Sequence, residues 1–233
     1  MSNMLVIIPS RGRPDNIERF YQSCIKTKAK VDILVGIDKD DERHQDYLNL
    51  EKRLDGNSED VVIKCWVSPD RKRFGPTLNY IAKQNYDIWK YIYWCGDDHL
   101  PITDHWDQKY RDELDRLGTG IVYGNDLVMG PAIPTQMAMT SNIVKALGYA
   151  VPEGFVHLYI DNYFLELGKA CSMISYMPDV IVQHLHPCAG QAVEDKTYQE
   201  ANSKENWTND SKRFHEYMEN ELVLDVEKIR AIQ

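Results

Sequence analysis

Residues 95–99 read Cys-Gly-Asp-Asp-His and follow directly on the apolar run Tyr91 to Trp94. Adjacent carboxylates at the end of a buried strand repel each other and resist desolvation, so a cation or a retained proton has to hold them. Hard carboxylate oxygens suit Mg²⁺ or Mn²⁺, ions that complete their coordination with substrate phosphates. The competing reading is structural, with Asp97 and Asp98 capping the following turn through side-chain hydrogen bonds.

Three further stretches carry chemistry-bearing side chains. In Pro9-Ser10-Arg11-Gly12-Arg13-Pro14 two guanidinium groups follow an apolar run, and Arg11 and Arg13 could neutralise a diphosphate. This turn is neither a dinucleotide fingerprint nor a phosphate-binding P-loop, because the glycine spacing of both is absent. In His184-Leu185-His186-Pro187 two histidines alternate, which in an extended segment points them the same way, toward a metal held by Asp98. In His157 to Gly168 an acidic residue, Asp161, opens an amphipathic helix. It is either the helix N-cap or a general base aimed at an acceptor hydroxyl. Asp126, in Tyr-Gly-Asn-Asp-Leu, is ambiguous in the same way.

The elements that position these groups follow from periodicity. Apolar runs at 4–9, 31–37, 61–67 and 91–95 read as buried strands, and helical patterns separate them at about 16–27, 42–54 and from Gly75 onward. Strands alternating with helices predict an α/β domain with a mostly parallel central sheet flanked by helices, and ligands gather at the carboxyl ends of its strands. Beyond Pro101 the pattern loosens. Helices are predicted at 106–117, to Leu147 and at 159–170, a strand at 120–123, a turn-rich stretch from Gly124, and a loop with a late strand over 173–184. The division is one domain over 1–195, with halves 1–101 and 102–195, and a polar helical extension over 196–233 that could cover the acceptor cleft or mediate a homodimer.

Composition narrows the function classes. The 233 residues carry a formal net charge of -9, which argues against a general nucleic-acid or membrane binder. The one dense basic cluster is Asp70-Arg71-Lys72-Arg73, able to make a local phosphate contact. Five cysteines form no Cys-x-x-Cys pair and read as reduced thiols. The apolar run at the N-terminus is too short for a signal peptide or a membrane span, so a cytoplasmic location is expected, in the host cell if the chain is phage-encoded.

The segments VIIPSRGRP, VGIDKDD, RFGPTLNYIAKQ and YWCGDDHLP, in this order, resemble the nucleotide-binding half of the GT-A glycosyltransferases, most closely family 2-like enzymes of bacteria and phages. The later YGND, IPTQ, YIDN and HLHP resemble the acceptor half of a phage-type branch, so that the likeness covers roughly residues 4 to 190. The resemblance implies a Rossmann-like GT-A fold and transfer of a sugar from a nucleoside-diphosphate sugar, a UDP-sugar being favoured, with Mn²⁺ or Mg²⁺. By position, Pro9, Ser10, Arg11 and Arg13 match the nucleotide-contacting loop, and Asp38 matches the residue that reads the base. Arg71, Gly75 and Asn79 match the segment that closes over the nucleotide. Asp97 and Asp98 match the Asp-x-Asp element, Asp97 near the ribose and Asp98 on the metal, while His184 or His186 matches the late metal ligand. Asp161 stands where inverting members carry their base. His99 departs from the pattern, because a second aspartate usually stands there, and a retaining mechanism stays open. The polymerase element Gln-x-x-Arg-Trp is absent, which implies a soluble, non-processive enzyme acting on a glycan or on hydroxymethylated DNA. A nucleotidyltransferase, or a binding module that has lost catalysis, are the competing classes.

Overall fold

The first strand, β1 (Met4–Pro9), is buried along its whole length, as a continuous apolar run requires when helices cover both faces of a sheet. A computed structural model of the chain describes residues 2–233, the side chain of Cys188 excepted. Successive side chains of β1 enter opposite cores, Met4, Val6 and Ile8 on one face and Leu5 and Ile7 on the other. The chain continues through α1 (Pro14–Lys26), β2 (Val31–Asp38), α2 (His44–Leu54), β3 (Val61–Ser68), α3 (Phe74–Asn85) and β4 (Tyr91–Trp94). Strands β3, β2, β1 and β4 lie side by side and parallel, with α1 and α2 on one face and α3 on the other. This half matches the periodicity, except that α1 begins slightly earlier than expected, with Pro14 at its first position behind Arg13.

The second half departs further from expectation. It comprises β5 (His99–Pro101), α4 (Trp106–Leu117), β6 (Ile121–Asn125), β7 (Met137–Thr140), α5 (Ser141–Leu147), α6 (Ile160–Ala170) and β8 (Ile174–His184). The sheet order is β3-β2-β1-β4-β7-β6-β8-β5, with β7 antiparallel to both of its neighbours and β5 antiparallel to β8. The sheet is therefore mixed. The stretch over 173–184 is one strand rather than a loop plus a strand, because a register shift between Gly124 and Asn125 accommodates Pro178 in a bulge.

Three helices close the chain: α7 (Lys196–Ala201), α8 (Lys204–Asn220) and α9 (Leu222–Arg230). Tyr217, Val226 and Ile229 enter the second core, and the buried Asp225 carboxylate accepts the hydroxyls of Tyr149 at 2.6 Å and Tyr217 at 2.9 Å. Helices α8 and α9 thus pack into this core, whereas α7 buries no residue. Cys24, Cys65, Cys95 and Cys171 are free thiols. Among the described residues no helix is long and apolar enough to cross a membrane.

Candidate functional site

Strand β4 stops at Trp94, and the turn through Gly96 brings Asp98 and His99 back against β8. The short strand β5 places His99 directly opposite His184, and their rings stack 4.2 Å apart. Asp98 lies between them, its Oδ1 3.3 Å from His99 Nδ1 and its Oδ2 3.4 Å from His184 Nε2. One ligand atom from each of the three lies within 4.8 Å of the others, spacing that suits a single ion. Two observations support the fit. His99 Nδ1 is buried without a hydrogen-bond partner, and a Cβ on Gly96 would stand 2.7 Å from Asp98 Oδ1, so the turn has room for that carboxylate only because residue 96 is glycine. His186 lies outside this trio, its ring 4.8 Å from that of His184.

Electrostatics within the trio are consistent with a cation site. Burial would raise the Asp98 carboxyl, but the neighbouring imidazoles of His184 and His99 outweigh it and hold the carboxyl well below the usual range. Burial likewise opposes charge on His184, yet the carboxylates of Asp126 and Asp98 push it up to about 9. Burial, and then the charge on His184, lower His99. The two carboxylates thus favour positive charge at the His184 position.

Asp126, ambiguous in the sequence, is the hub behind this trio. Its Oδ1 accepts the backbone N–H groups of Val128, Met129 and Gly130, which fixes the carboxylate. Its Oδ2 accepts the Thr135 hydroxyl at 2.8 Å and lies 3.8 Å from His184 Nδ1. Thr135 Oγ1 lies in turn 3.4 Å from His99 Nε2. Carboxylates placed behind imidazoles in this way orient metal-binding histidines.

Asp97 points the other way. Its Oδ2 accepts the Ser10 hydroxyl at 2.6 Å and its Oδ1 pairs with Arg13 at 3.0 Å. Burial pushes its carboxyl up to about 6 against the opposing pull of Arg13. The two adjacent aspartates thus have separate partners, which answers how two like charges coexist there.

A cavity of about 310 Å³ opens over these groups, and every candidate donor-binding, metal-binding and catalytic residue lines it except Gly75 and Asn79. Pro9, Ser10, Arg11 and Arg13 come from the turn after β1, and Asp38 from the end of β2, where its Oδ1 accepts the backbone N–H of Lys72. Arg71, His184 and His186 also reach it. Asp161 lies on its wall, half-buried, in the first turn of α6. It is not the N-cap, a position that Tyr159 occupies with φ 63. Burial raises the Asp161 carboxyl, and the backbone N–H of Asn162 opposes that shift.

Gly75 and Asn79 do not reach the cavity. The amide of Gly75 donates to Val156 O, and a Cβ there would stand 2.4 Å from Phe155 O. The Asn79 side chain donates to Val151 O at 2.6 Å and accepts the amides of Ala150 and Val151. Both therefore join α3 to the loop that precedes α6. Sequence reasoning missed the rest of that loop and its support. The buried Asp210 of α8 accepts three consecutive amides, Val156, His157 and Leu158, and His157 and Leu158 line the cavity. Sequence reasoning gave the 196–233 extension as able to cover the cleft but singled out none of Thr197, Tyr198, Glu200 and Asn206, which line the cavity.

No family model matches the sequence, and no curated protein is similar to it in sequence. Solved structures do match. A mannosyltransferase from Pyrobaculum calidifontis, in complex with GDP-Man and Mn²⁺, superposes with a TM-score of 0.57 at 12% identity, covering 99% of this chain and 73% of that one. A candidate glucose-1-phosphate thymidylyltransferase from Bacillus anthracis matches at 0.48 and 13%, over 75% of this chain and 86% of the other. The catalytic domain of Drosophila β1,4-galactosyltransferase 7, complexed with xylobiose, matches at 0.48 and 13%, over 84% and 77%. The first of these carries the assignment of fold: the chain has the architecture of GT-A-like nucleotide-sugar transferases.

Proposed function

We propose that this protein is a metal-dependent glycosyltransferase that moves a sugar from a nucleoside-diphosphate sugar to an acceptor hydroxyl, with inversion and one transfer per encounter. The observation that carries the reading is the trio Asp98, His99 and His184, opening into the same cavity as Arg11, Arg13 and Asp161. Asp98, His99 and His184 would hold the ion. One carboxylate with two imidazoles is softer than the oxygen shell Mg²⁺ prefers, which favours Mn²⁺. When bound, a divalent cation stabilises the negative charge that develops on the departing diphosphate.

The residues of the chain do the remainder. Arg11 and Arg13 supply charge-assisted hydrogen bonds to phosphate oxygens, whose charge grows as the glycosidic bond breaks. Ser10 and Asp97 address the ribose, and Asp38 the base. Asp161 takes the proton of the acceptor hydroxyl as that oxygen attacks the anomeric carbon, opposite the leaving diphosphate. Its raised affinity for a proton suits that task. A glycan is favoured as acceptor over hydroxymethylated DNA: the net charge is -9, and Arg71 and Arg73 pair with Glu200 rather than presenting a free basic face.

Two measurements test this reading. Thermal-shift screening of UDP, GDP, CDP and dTDP with Mn²⁺ should give a stabilisation specific to one diphosphate, UDP by expectation. Sugar transfer from the matching donor should require Mn²⁺ and be lost in Asp98→Asn. Transfer undiminished in Asp98→Asn would remove the metal assignment, and diphosphate binding without transfer to any hydroxyl acceptor would favour a binding module.

A further inference from the structure

Each arginine around the cavity already has a carboxylate partner, and two of those partners come from one short segment near the C-terminus. Arg11 pairs with Asp40, in the turn after β2, at 2.7 Å. Arg13, besides Asp97, makes a two-pronged contact with Asp195, Nε to Oδ2 at 2.7 Å and Nη2 to Oδ1 at 2.6 Å. Glu200 pairs with Arg71 and, at 3.6 Å, with Arg73. Such forked guanidinium–carboxylate pairs are the geometry by which arginine also grips phosphate.

The segment that carries these carboxylates is weakly held otherwise. Helix α7 has no buried residue, whereas α8 and α9 are fixed by Asp210, Tyr217, Asp225 and Ile229. Its other contacts include Thr197 Oγ1 donating to Arg11 O at 3.2 Å, the Tyr198 ring edge-on to His186, and Asn206 Nδ2 donating to the carbonyls of Glu200 and Ala201. Ser203 starts α8 with its own N-cap hydrogen bond to Asn206, so a helix boundary separates the loosely held segment from the anchored one. Segments with few buried apolar contacts open at low free-energy cost. The cavity, about 310 Å³, is at the bottom of the roughly 300–1,000 Å³ range of small-molecule sites.

We propose that residues 195–202 form an autoinhibitory strap, in which Asp195 occupies Arg13, which the donor diphosphate must claim, and Glu200 occupies Arg71 of the segment that closes over the nucleotide, so that donor binding lifts the strap. The inference rests on the donor reading given above. It implies that the resting protein discriminates against weakly charged ligands, because only a group able to replace both carboxylates releases the segment. It also makes the strap a place where an added charge or a partner could tune donor affinity.

Asp195→Asn with Glu200→Gln is the direct test. Asparagine keeps the N-cap hydrogen bond that Asp195 makes to the amide of Tyr198, so α7 retains its start while both charges are lost. Titration of the full chain with Mn²⁺ and the nucleoside diphosphate, followed calorimetrically, should show binding tighter by about tenfold in the double variant, the gain expected when a closed state populated about 90% no longer competes. Hydrogen exchange of the wild-type chain should show faster exchange in 195–202 on adding the diphosphate, with α9 unchanged. Equal or weaker binding by the double variant would overturn the strap while leaving the donor reading intact, and so would protection of 195–202 by ligand. Binding by neither protein would remove the donor reading and the strap with it.

Discussion

Asp126 Oδ2 lies 3.8 Å from Nδ1 of His184, while Nε2 of the same ring lies 3.4 Å from Asp98. The imidazole thus bridges a carboxylate that can bind a metal and one that cannot turn toward it, because three amides of the 128–130 turn hold Asp126 in place. Asp126→Asn keeps an oxygen for those amides but loses the charge behind His184 and disturbs the acceptor for Thr135. The expected result is a folded protein whose Mn²⁺ affinity, by calorimetry, falls about 10–100-fold. An unchanged affinity would mean that His184 needs no such support.

His99 distinguishes the observed trio from a two-carboxylate element. If its unpartnered Nδ1 is a ligand atom, His99→Ala should weaken Mn²⁺ binding much more than Mg²⁺ binding, since imidazole contributes more to the softer ion. The readout is the stabilisation each metal gives over the metal-free variant, which sets aside the cost of losing a buried ring. Equal weakening for both ions would argue that His99 only packs against His184.

Asn79 and Gly75 test the opposite kind of assignment. A nucleotide-contacting Asn79 would lose donor affinity on truncation. In the structure its three hydrogen bonds all go to the backbone of Ala150 and Val151, so Asn79→Ala should cost about 1–3 kcal/mol of stability through the amides and carbonyl left unpaired. Diphosphate affinity of the folded fraction should stay within about twofold, since no donor contact is removed. A large loss of affinity at unchanged melting temperature would restore the nucleotide role.

The parallel half of the fold was legible because its strands are apolar runs buried on both faces, bounded by turn residues. Strand β7 was not: in Met137-Ala138-Met139-Thr140 only Thr140 is of the β-branched or aromatic kind that marks strands, and its place between β4 and β6 is set by tertiary packing. For the site, Asp98 and His184 could be singled out because unusual residue types stand at strand ends. His99 could be noticed but given no role until β5 was seen to pair with β8, a contact between segments far apart in the chain. Asp126, Asp210 and the strap carboxylates had no local signature, because an acidic residue looks the same whether it caps a turn, props a loop or neutralises an arginine. Asn79 shows a related point: resemblance along the chain fixes the helix but not the face from which a side chain works.

Asp161 links activity to stability with opposite signs. Burial raises its carboxyl in the folded protein, so the folded state binds that proton more tightly than the unfolded chain does. Stability from this group is therefore present below the unfolded value of about 3.9 and declines as pH rises toward the raised folded value, leaving a cost at neutral pH. Asp161→Asn removes the charge, so its melting temperature at pH 7 should exceed that of the wild type, and the difference should vanish in acid. Transfer should respond in the other direction, because a base must be unprotonated. In the wild type the rate should fall on the acid side at a pH above the ordinary carboxylate range, and in Asp161→Asn it should drop about 10²–10⁴-fold. Mn²⁺ and diphosphate binding should survive the substitution, since Asp161 is not among the candidate metal ligands. A variant that keeps full transfer would take Asp161 out of the proton step. One that loses donor binding together with transfer would instead make it a structural residue of α6.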